Sequence, residues 1–197
     1  MNAFTSKLSP SITGMIRLDH THVLANFHKY DPNASANSRQ ALVDMVCLAL
    51  EIHTQLEEEI FYPAMQEVAS GNEVLNKSVP EHDEVRNLIG QLRSMAPDDA
   101  SYTSTFMQLM RSVIHHVADE ETVLLPEAER LLADRLSELG AAMTKRRLQL
   151  AAPHAGELAL DTVRTMPASS MLLAAGALLA GGYLVKRSRG RHVRPTL

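Results

Sequence analysis

The 197-residue sequence contains one cysteine, no tryptophan and only 4% aromatic residues. The single cysteine, Cys47, excludes a disulfide within the chain and cannot by itself build a thiolate metal site. Because Cys47 lies in an apolar run, we expect it to be a small buried hydrophobic residue. Leucine, alanine and methionine are abundant, and nine glycines and nine prolines are few for this length. This composition favours helices over a β-rich fold.

The beginning of the sequence lacks the apolar stretch and small-residue cleavage site of a secretory signal peptide. Acidic residues are missing from the other end. All 23 acidic residues lie at or before Asp161, together with 13 of the 19 lysines and arginines, so this part has a net charge of 13 − 23 = −10. From Thr162 onwards there are six basic residues and no acidic one, a net charge of +6. We therefore expect an acidic domain in the cytoplasm, a separate basic tail and no nucleic-acid partner.

Apolar residues recur at three- and four-residue steps in four segments, which predicts four amphipathic helices. The turn-forming sequences YDPNAS, SGNE and APDDAS separate these segments. Four such helices with short connections predict an all-α, up-down four-helix bundle. The inward apolar positions, segment by segment, are Ile12, Ile16, Val23 and Phe27; Val46, Leu50, Ile60, Phe61 and Ala64; Leu75, Val79, Val85, Ile89 and Leu92; and Phe106, Leu109, Val113, Val123 and Leu131.

The second half of the bundle repeats the first. DHTHV, which contains His20, matches EHDEV, which contains His82, and HTQLEEEIFYP from His53 matches HVADEETVLLP from His116. The first pair of histidines is 33 residues apart and the second pair 34. The sequence therefore predicts two similar helical hairpins.

Each of the four apolar stripes is interrupted by histidine or glutamate. A buried carboxylate or imidazole without a partner costs several kcal/mol, so four such helices require these groups to satisfy one another. Two His–Glu pairs at i,i+4 spacing place their side chains on one helix face. Nitrogen and oxygen donors without sulfur suit iron, manganese or zinc, and carboxylate-rich bundles hold di-iron sites. The predicted ligands of two metal ions are His20, His53, Glu57, His82, His116 and Glu120.

The number of ligand atoms leaves room for a small molecule. If Glu57 and Glu120 both bridge, the six residues supply about eight of the roughly twelve ligand atoms that two six-coordinate metal ions need. A bridging oxygen ligand would take about two more positions. About two would then remain open for dioxygen, nitric oxide or peroxide.

Two neighbouring histidines and two prolines are interpreted separately. His22 is expected to face solvent, and the repeat favours His116 over His115 as the ligand. Pro63 and Pro126 lack a backbone N–H, so we expect them to kink or end their helices just beyond the site.

The carboxylates beside the candidate ligands are not counted as ligands. Glu58, Glu59 and Glu121 are interpreted as solvated charges on the helix surface. Asp19 and Glu81 each precede a candidate histidine and fit either of two roles, as supports of a ligand histidine or as helix caps, and SVPE before His82 fits a capping box.

These motifs resemble those of the haemerythrin and HHE cation-binding family. The patterns are D-H-x-x-V, H-x-x-x-E-E-x-x-x-x-P, E-H-x-x-V and a second H-x-x-x-E-E-x-x-x-x-P, between about Ser11 and Leu132. LGAAMTKRR resembles the helix that follows the bundle in bacterial members. The resemblance implies a four-helix bundle with a non-haem di-iron centre held by the same six residues. Oxygen-carrying members have H-x-x-x-H on the third helix, whereas here Arg86 follows His82 at that spacing.

We therefore predict a non-haem di-iron protein that binds or senses oxygen, nitric oxide or peroxide. With one histidine fewer than in the oxygen carriers, the centre favours redox chemistry, sensing or iron handling over reversible oxygen carriage. An oxidase- or peroxidase-type enzyme and an iron storage or delivery module remain the alternatives.

The chain is expected to contain a bundle domain (1–150), a linker or helix (151–165), a hydrophobic segment (166–185) and a basic tail (186–197). Twenty helical residues span about 30 Å, the thickness of the hydrocarbon core of a bilayer. The hydrophobic segment thus predicts a membrane contact that attaches the bundle to the inner membrane. An apolar helix that docks on the bundle, or that dimerises through its small residues, fits the same composition.

Overall fold

The computed structural model of the protein describes residues 10–156. Every regular element in this range is helical, which confirms the all-α prediction. The elements are α1 (Ile12–Phe27), α2 (Ala36–Leu56), a π-helical turn π1 (Glu57–Phe61), α3 (Tyr62–Ala69), α4 (Glu73–Ser94), α5 (Tyr102–Asp119), a second π-helical turn π2 (Glu120–Leu124), α6 (Leu125–Leu131), α7 (Leu136–Ala151) and a 3-10 turn (Ala152–His154).

The helices begin where the sequence supplies capping side chains. Ser11, Ser35 and Asn72 each accept a backbone N–H from the first turn of α1, α2 and α4, respectively. Ser35 ends the predicted YDPNAS turn, and Asn72 lies in the predicted SGNE turn. The connections therefore lie where they were expected.

The two π-helical turns continue their helices past the prolines. In each turn a backbone N–H reaches the carbonyl five residues earlier, from Tyr62 to Glu57 and from Leu125 to Glu120. Of the two effects expected of these prolines, a kink or an end of the helix, the end is not observed, because α3 and α6 carry Pro63 and Pro126 in their first turns. The wider turn before each proline gives its ring room beside the carbonyl four residues earlier, with which it would clash in a regular α-helix.

Two of the predicted inward positions face solvent instead. Val79 is 41% exposed and Val123 is 44% exposed, whereas the neighbouring residues Ser78 and Leu124 are fully buried. Leu124 replaces Val123 because the π-helical turn adds one residue to the spacing after Glu120. Ser78 replaces Val79 because it lies one full α-helical turn before the buried His82.

The buried apolar side chains form two clusters, between which each long helix carries polar residues. The loop-side cluster includes Tyr30 from the first connection and the edge-on ring pair of Phe27 and Phe106, whose centroids are 5.4 Å apart. The α7-side cluster includes Leu139 and Met143 of α7. Each long helical segment contributes to both clusters. Along the chain, α1 and α4 run from the α7-side cluster to the loop-side cluster. The segments α2–π1–α3 and α5–π2–α6 run in the opposite direction.

Helix α7 packs on α1 and α2 at close range. A Cβ atom on Gly140 would lie 2.0 Å from the carbonyl oxygen of Pro10, so only glycine fits at this contact. No helix within residues 10–156 is long and apolar enough to cross a membrane. The predicted hydrophobic segment (166–185) and basic tail (186–197) lie outside the described residues, as does most of the predicted linker.

Candidate metal centre

The six predicted ligand residues lie together in the polar layer between the two apolar clusters. None of them is more than 5% exposed. Helix α1 provides one of these residues, α2 and π1 provide two, α4 provides one, and α5 and π2 provide two. In chain order they are His20, His53, Glu57, His82, His116 and Glu120.

Glu57 lies between imidazoles from two helices. Its Oε2 atom is 3.2 Å from Nε2 of His53 and 3.4 Å from Nε2 of His82. The Nε2 atoms of His82 and His116 also face each other at 3.1 Å. Glu57 thus lies between the imidazole of His53 on one side and those of His82 and His116 on the other.

Glu120 has the equivalent position in the second hairpin. Its Oε2 atom is 3.3 Å from Nε2 of His20 and 3.5 Å from Nε2 of His116. Three inward atoms are buried without a hydrogen bond, namely Nε2 of His20, Oε1 of Glu57 and Oε2 of Glu120. An unsatisfied buried polar atom costs about 1–3 kcal/mol, so this set calls for a cation among the donors.

The converging atoms form two groups with the chemistry of a metal site. Within each group the ligand atoms lie within 4.8 Å of one another, and Glu57 belongs to both groups. All donors are imidazole nitrogens or carboxylate oxygens, a set that suits iron, manganese or zinc. The first group contains His20, His53, Glu57 and Glu120, and the second contains Glu57, His82 and His116.

The outward nitrogen of each candidate histidine faces a carboxylate. When Nδ1–H donates to a carboxylate, the lone pair of Nε2 is left pointing into the site, which is the tautomer that a metal ligand needs. The pairs are His20 with Glu121 at 2.9 Å, His53 with Asp19 at 3.5 Å, His82 with Glu58 at 2.8 Å and His116 with Glu81 at 2.9 Å.

These contacts decide the roles of the neighbouring carboxylates. The interpretation of Glu58 and Glu121 as solvated charges is wrong. Glu58 contacts Nδ1 of His82 on α4, and Glu121 contacts Nδ1 of His20 on α1. Asp19 and Glu81 support histidines and do not cap helices, since both lie in the interior of α1 and α4. Glu59 is the exception, and it pairs with Arg146 at the surface.

A cation in turn contacts each supporting carboxylate. These cations lie nearer the surface and balance the negative charge that surrounds the histidines. The contacts are Arg17 with Glu121 at 3.0 Å, Arg147 with Asp19 at 2.6 and 2.5 Å, Arg86 with Glu58 at 2.8 Å and Lys77 with Glu81 at 3.6 Å.

Arg86 does not occupy the space of a missing fifth histidine. Its side chain is 39% exposed and pairs with Glu58 and Asp83 outside the polar layer. The inward positions one turn before and one turn after His82 are Ser78 and Val85, both of which are buried. His115 is also turned outwards and lies near Asp119 at the surface, whereas its neighbour in the sequence contributes to the site.

Tyr62 is a site residue that the sequence reasoning missed. Its hydroxyl oxygen lies 2.9 Å from Oε1 of Glu120, 3.3 Å from Oε2 of Glu57 and 3.2 Å from Nε2 of His82. The π-helical turn is responsible, because residues five apart lie on one face there, which brings Tyr62 under Glu57. The signal in the sequence was a tyrosine where the repeat has Leu125.

Without a metal ion the charges of the layer perturb one another. Burial and the charge of Glu120 raise the pKa of Glu57 well above its usual value. Burial acts to lower the pKa of His20, but contact with Glu120 and the charge of Glu57 outweigh it and raise that pKa to about 9. Burial lowers the pKa of His53 to about 4, against the opposing effect of Asp19.

A small cavity adjoins the histidines on the loop side. Its volume is about 10 Å³, which is near the lower limit for a single water-sized molecule. Apart from the histidines it is lined mainly by aliphatic side chains, so it suits a small neutral molecule. These side chains are Val23, Leu50, Val85, Val113 and Val117.

Comparisons with known proteins agree with this arrangement. The Hemerythrin HHE cation binding domain matches residues 11–128. A crystal structure of a Hemerythrin HHE cation binding domain-containing protein from Mycobacterium kansasii shares the fold, with a TM-score of 0.64 at 20% identity over 80% of this chain and 99% of that one. A DNA nickase from Nostoc sp. is 23% identical over 134 residues, or 68% of this chain, which spans only 38% of that relative. The chain belongs to the haemerythrin HHE cation-binding domain family.

Proposed function

We propose that the six inward residues hold two iron ions and that the loaded centre binds or senses dioxygen, nitric oxide or peroxide. One observation carries this proposal: the inward nitrogens of four histidines and the oxygens of two glutamates converge where three of these atoms lack hydrogen bonds. Glu57 belongs to both groups of donors and is therefore the proposed bridging ligand. Manganese or zinc would suit the same donors.

The surrounding protein has defined tasks in this proposal. The four outer carboxylates hold the histidines in the tautomer and orientation that leave Nε2 free. The small cavity would place mainly aliphatic side chains beside a ligand bound at the centre. A bound pair of iron ions would supply reversible redox chemistry and open coordination positions.

We further propose that the ligands are carried by an up-down four-helix bundle. The support comes from the order in which the four long helices traverse the two apolar clusters, since successive helices cross them in opposite order. In such a bundle all ligand-bearing segments meet at one level, halfway between the ends.

The test is the metal content and optical spectrum of the aerobically purified chain. We expect close to two iron ions per chain by ICP-MS and an absorption spectrum that changes upon reduction and upon addition of nitric oxide. Less than one metal ion per chain after iron-replete expression would contradict the proposal.

An oxidase- or peroxidase-type enzyme is the second candidate, and Tyr62 favours it. The buried phenol contacts both candidate bridging carboxylates and can hold or pass a proton at Oε1 of Glu120. Burial and the charges of Glu57 and Glu120 raise its pKa well above the usual value, so it stays protonated as a donor. Peroxide consumption by the purified protein, and its loss in Tyr62→Phe, would separate this candidate from a sensor.

A further inference from the structure

Helix α7 lies beyond the residues that match the family domain, yet one of its side chains reaches the candidate centre. We infer that Arg147 is a positioning residue for the metal centre, which acts by fixing the carboxylate of Asp19 that orients His53. This inference rests on the proposed function, because it assigns α7 a part in the same centre.

The contacts form a continuous chain from the surface to the polar layer. Nη1 and Nη2 of Arg147 donate to Oδ1 and Oδ2 of Asp19 at 2.6 and 2.5 Å, respectively. Oδ2 of Asp19 is in turn 3.5 Å from Nδ1 of His53. Exposure falls along this chain, from 29% for the arginine side chain to 13% for the aspartate and 5% for the histidine. Two parallel hydrogen bonds fix the plane of a carboxylate, which a single bond does not.

Among the four candidate histidines, His53 makes the longest contact with its supporting carboxylate. Its contact with a carboxylate is 3.5 Å long, whereas the other three are 2.8–2.9 Å. A small rotation of Asp19 would therefore break the contact. Asp19 also precedes His20 in α1, so Arg147 fixes a residue beside two members of the first donor group.

The contact is separable from the docking of α7. The helix is also held by the close approach of Gly140 to Pro10, by the burial of Met143 and by a contact from Thr144 to Met15. Loss of this one part-buried ion pair should leave these contacts in place.

The neighbouring residue provides a matched control. Arg146 donates to Glu59 with two hydrogen bonds of 2.6 and 2.9 Å, so it ties α7 to the bundle with similar geometry. Glu59 otherwise hydrogen-bonds Gln55, and within residues 10–156 it contacts none of the six candidate ligands. Arg146→Gln therefore removes an ion pair of similar geometry, nearer the surface, without touching the histidines.

The experiment compares Arg147→Gln, Arg147→Lys and Arg146→Gln with the wild-type protein. Fe(II) affinity is measured by anaerobic competition with a chelator, metal content by ICP-MS, and the melting temperature of the metal-free proteins by circular dichroism. We expect Arg147→Gln to weaken the binding of one of the two metal ions about 10- to 100-fold, the usual effect of losing an outer partner of a ligand. Arg147→Lys should recover only part of this loss, because lysine lacks the planar fork. Arg146→Gln should bind both ions as the wild type does.

Asp19→Asn keeps the shape of the side chain and tests the intermediate step. If Arg147 acts through Asp19, this variant should reproduce the loss, and the double variant Asp19→Asn/Arg147→Gln should be no weaker than the single ones. Equal metal binding by the wild type and Arg147→Gln, or equal losses in Arg147→Gln and Arg146→Gln, would overturn the inference and leave the proposed function standing. A wild-type chain that binds no metal ion would overturn both.

Discussion

The first hairpin of the bundle has Tyr62 where the second has Leu125, although both carry their candidate ligands at equivalent positions. The supporting carboxylates follow the repeat, since Glu58 and Glu121 are equivalent and each holds a histidine of the opposite hairpin. The tyrosine has no such counterpart. The first hairpin therefore provides a hydrogen-bond donor, Tyr62, at a position where the second provides an apolar side chain, Leu125.

The cations behind the carboxylates differ in the same way. Asp19 and Glu81 are equivalent in the repeat, but Asp19 is held by Arg147 from outside the repeat, and Glu81 by Lys77 from its own helix. The layer of candidate ligands is thus nearly symmetric, while its surroundings are not. We interpret the symmetric part as the requirement for metal binding and the asymmetric part as what adapts the centre to one ligand.

The largest effect on metal content is expected for Glu57, which belongs to both donor groups. Glu57→Ala removes the one residue common to both donor groups, so we expect the metal content to fall from about two ions per chain to less than one, as measured by ICP-MS. Glu59→Ala, two residues along the same turn, removes only surface contacts with Arg146 and Gln55 and should keep both ions. Retention of both ions by Glu57→Ala would exclude Glu57 as a bridging ligand.

Acid should release metal, and protons bound by the first hairpin should be the cause. The pKa of His20 is raised to about 9 and that of Glu57 is also raised, so both hold protons that an incoming metal ion must displace. The pKa of His53 is lowered to about 4, so this imidazole is already neutral above about pH 6 and releases no proton when a metal ion binds. Affinity should therefore rise with pH up to about 9, about tenfold per pH unit for each proton displaced. Chelator competition between about pH 6 and about pH 9 measures this slope, and a flat profile would contradict it.

Helix α7 contacts the first hairpin, and a substitution that pushes α7 away should lower the stability of the metal-free protein. Gly140→Ala places a methyl group against the backbone of Pro10, and we expect it to lower the free energy of unfolding by about 1–3 kcal/mol. Gly90→Ala is the control, because no atom outside the neighbouring residues and backbone of its own helix lies within 4 Å of its Cβ position. It should stabilise helix α4 by up to about 1 kcal/mol. Urea unfolding of the metal-free proteins measures both. Equal effects of the two substitutions would contradict the close contact.

Tyr62→Phe makes the two hairpins more alike and should have the smallest effect on stability. The loss of the hydroxyl group removes its hydrogen bonds to the two glutamates, which costs about 0.5–1.5 kcal/mol in the metal-free protein by urea unfolding. The visible spectrum of the iron-loaded protein should change as well. Leu125→Met, at the equivalent position, should leave that spectrum unchanged.

The sequence predicted the six inward residues because the repeat and the i,i+4 spacing are local signals. It could not predict Tyr62 or the outward turn of Val123, because both follow from a π-helical turn whose extra residue breaks the regular helical period. Nor could it predict Arg147, which is 128 residues from the aspartate that it holds. The role of Glu58 was predicted wrongly because its partner, His82, lies on another helix, and the period of its own helix carries no information about that contact.

The polar layer also has a consequence for how the protein folds. It divides the interior into two apolar clusters, with the buried histidines and glutamates between them. In the metal-free chain these groups perturb one another's pKa values, and we expect the two clusters to be only weakly coupled there. A metal ion bound by residues from several helices would link the ends, and two loosely connected folding units would become one cooperative unit.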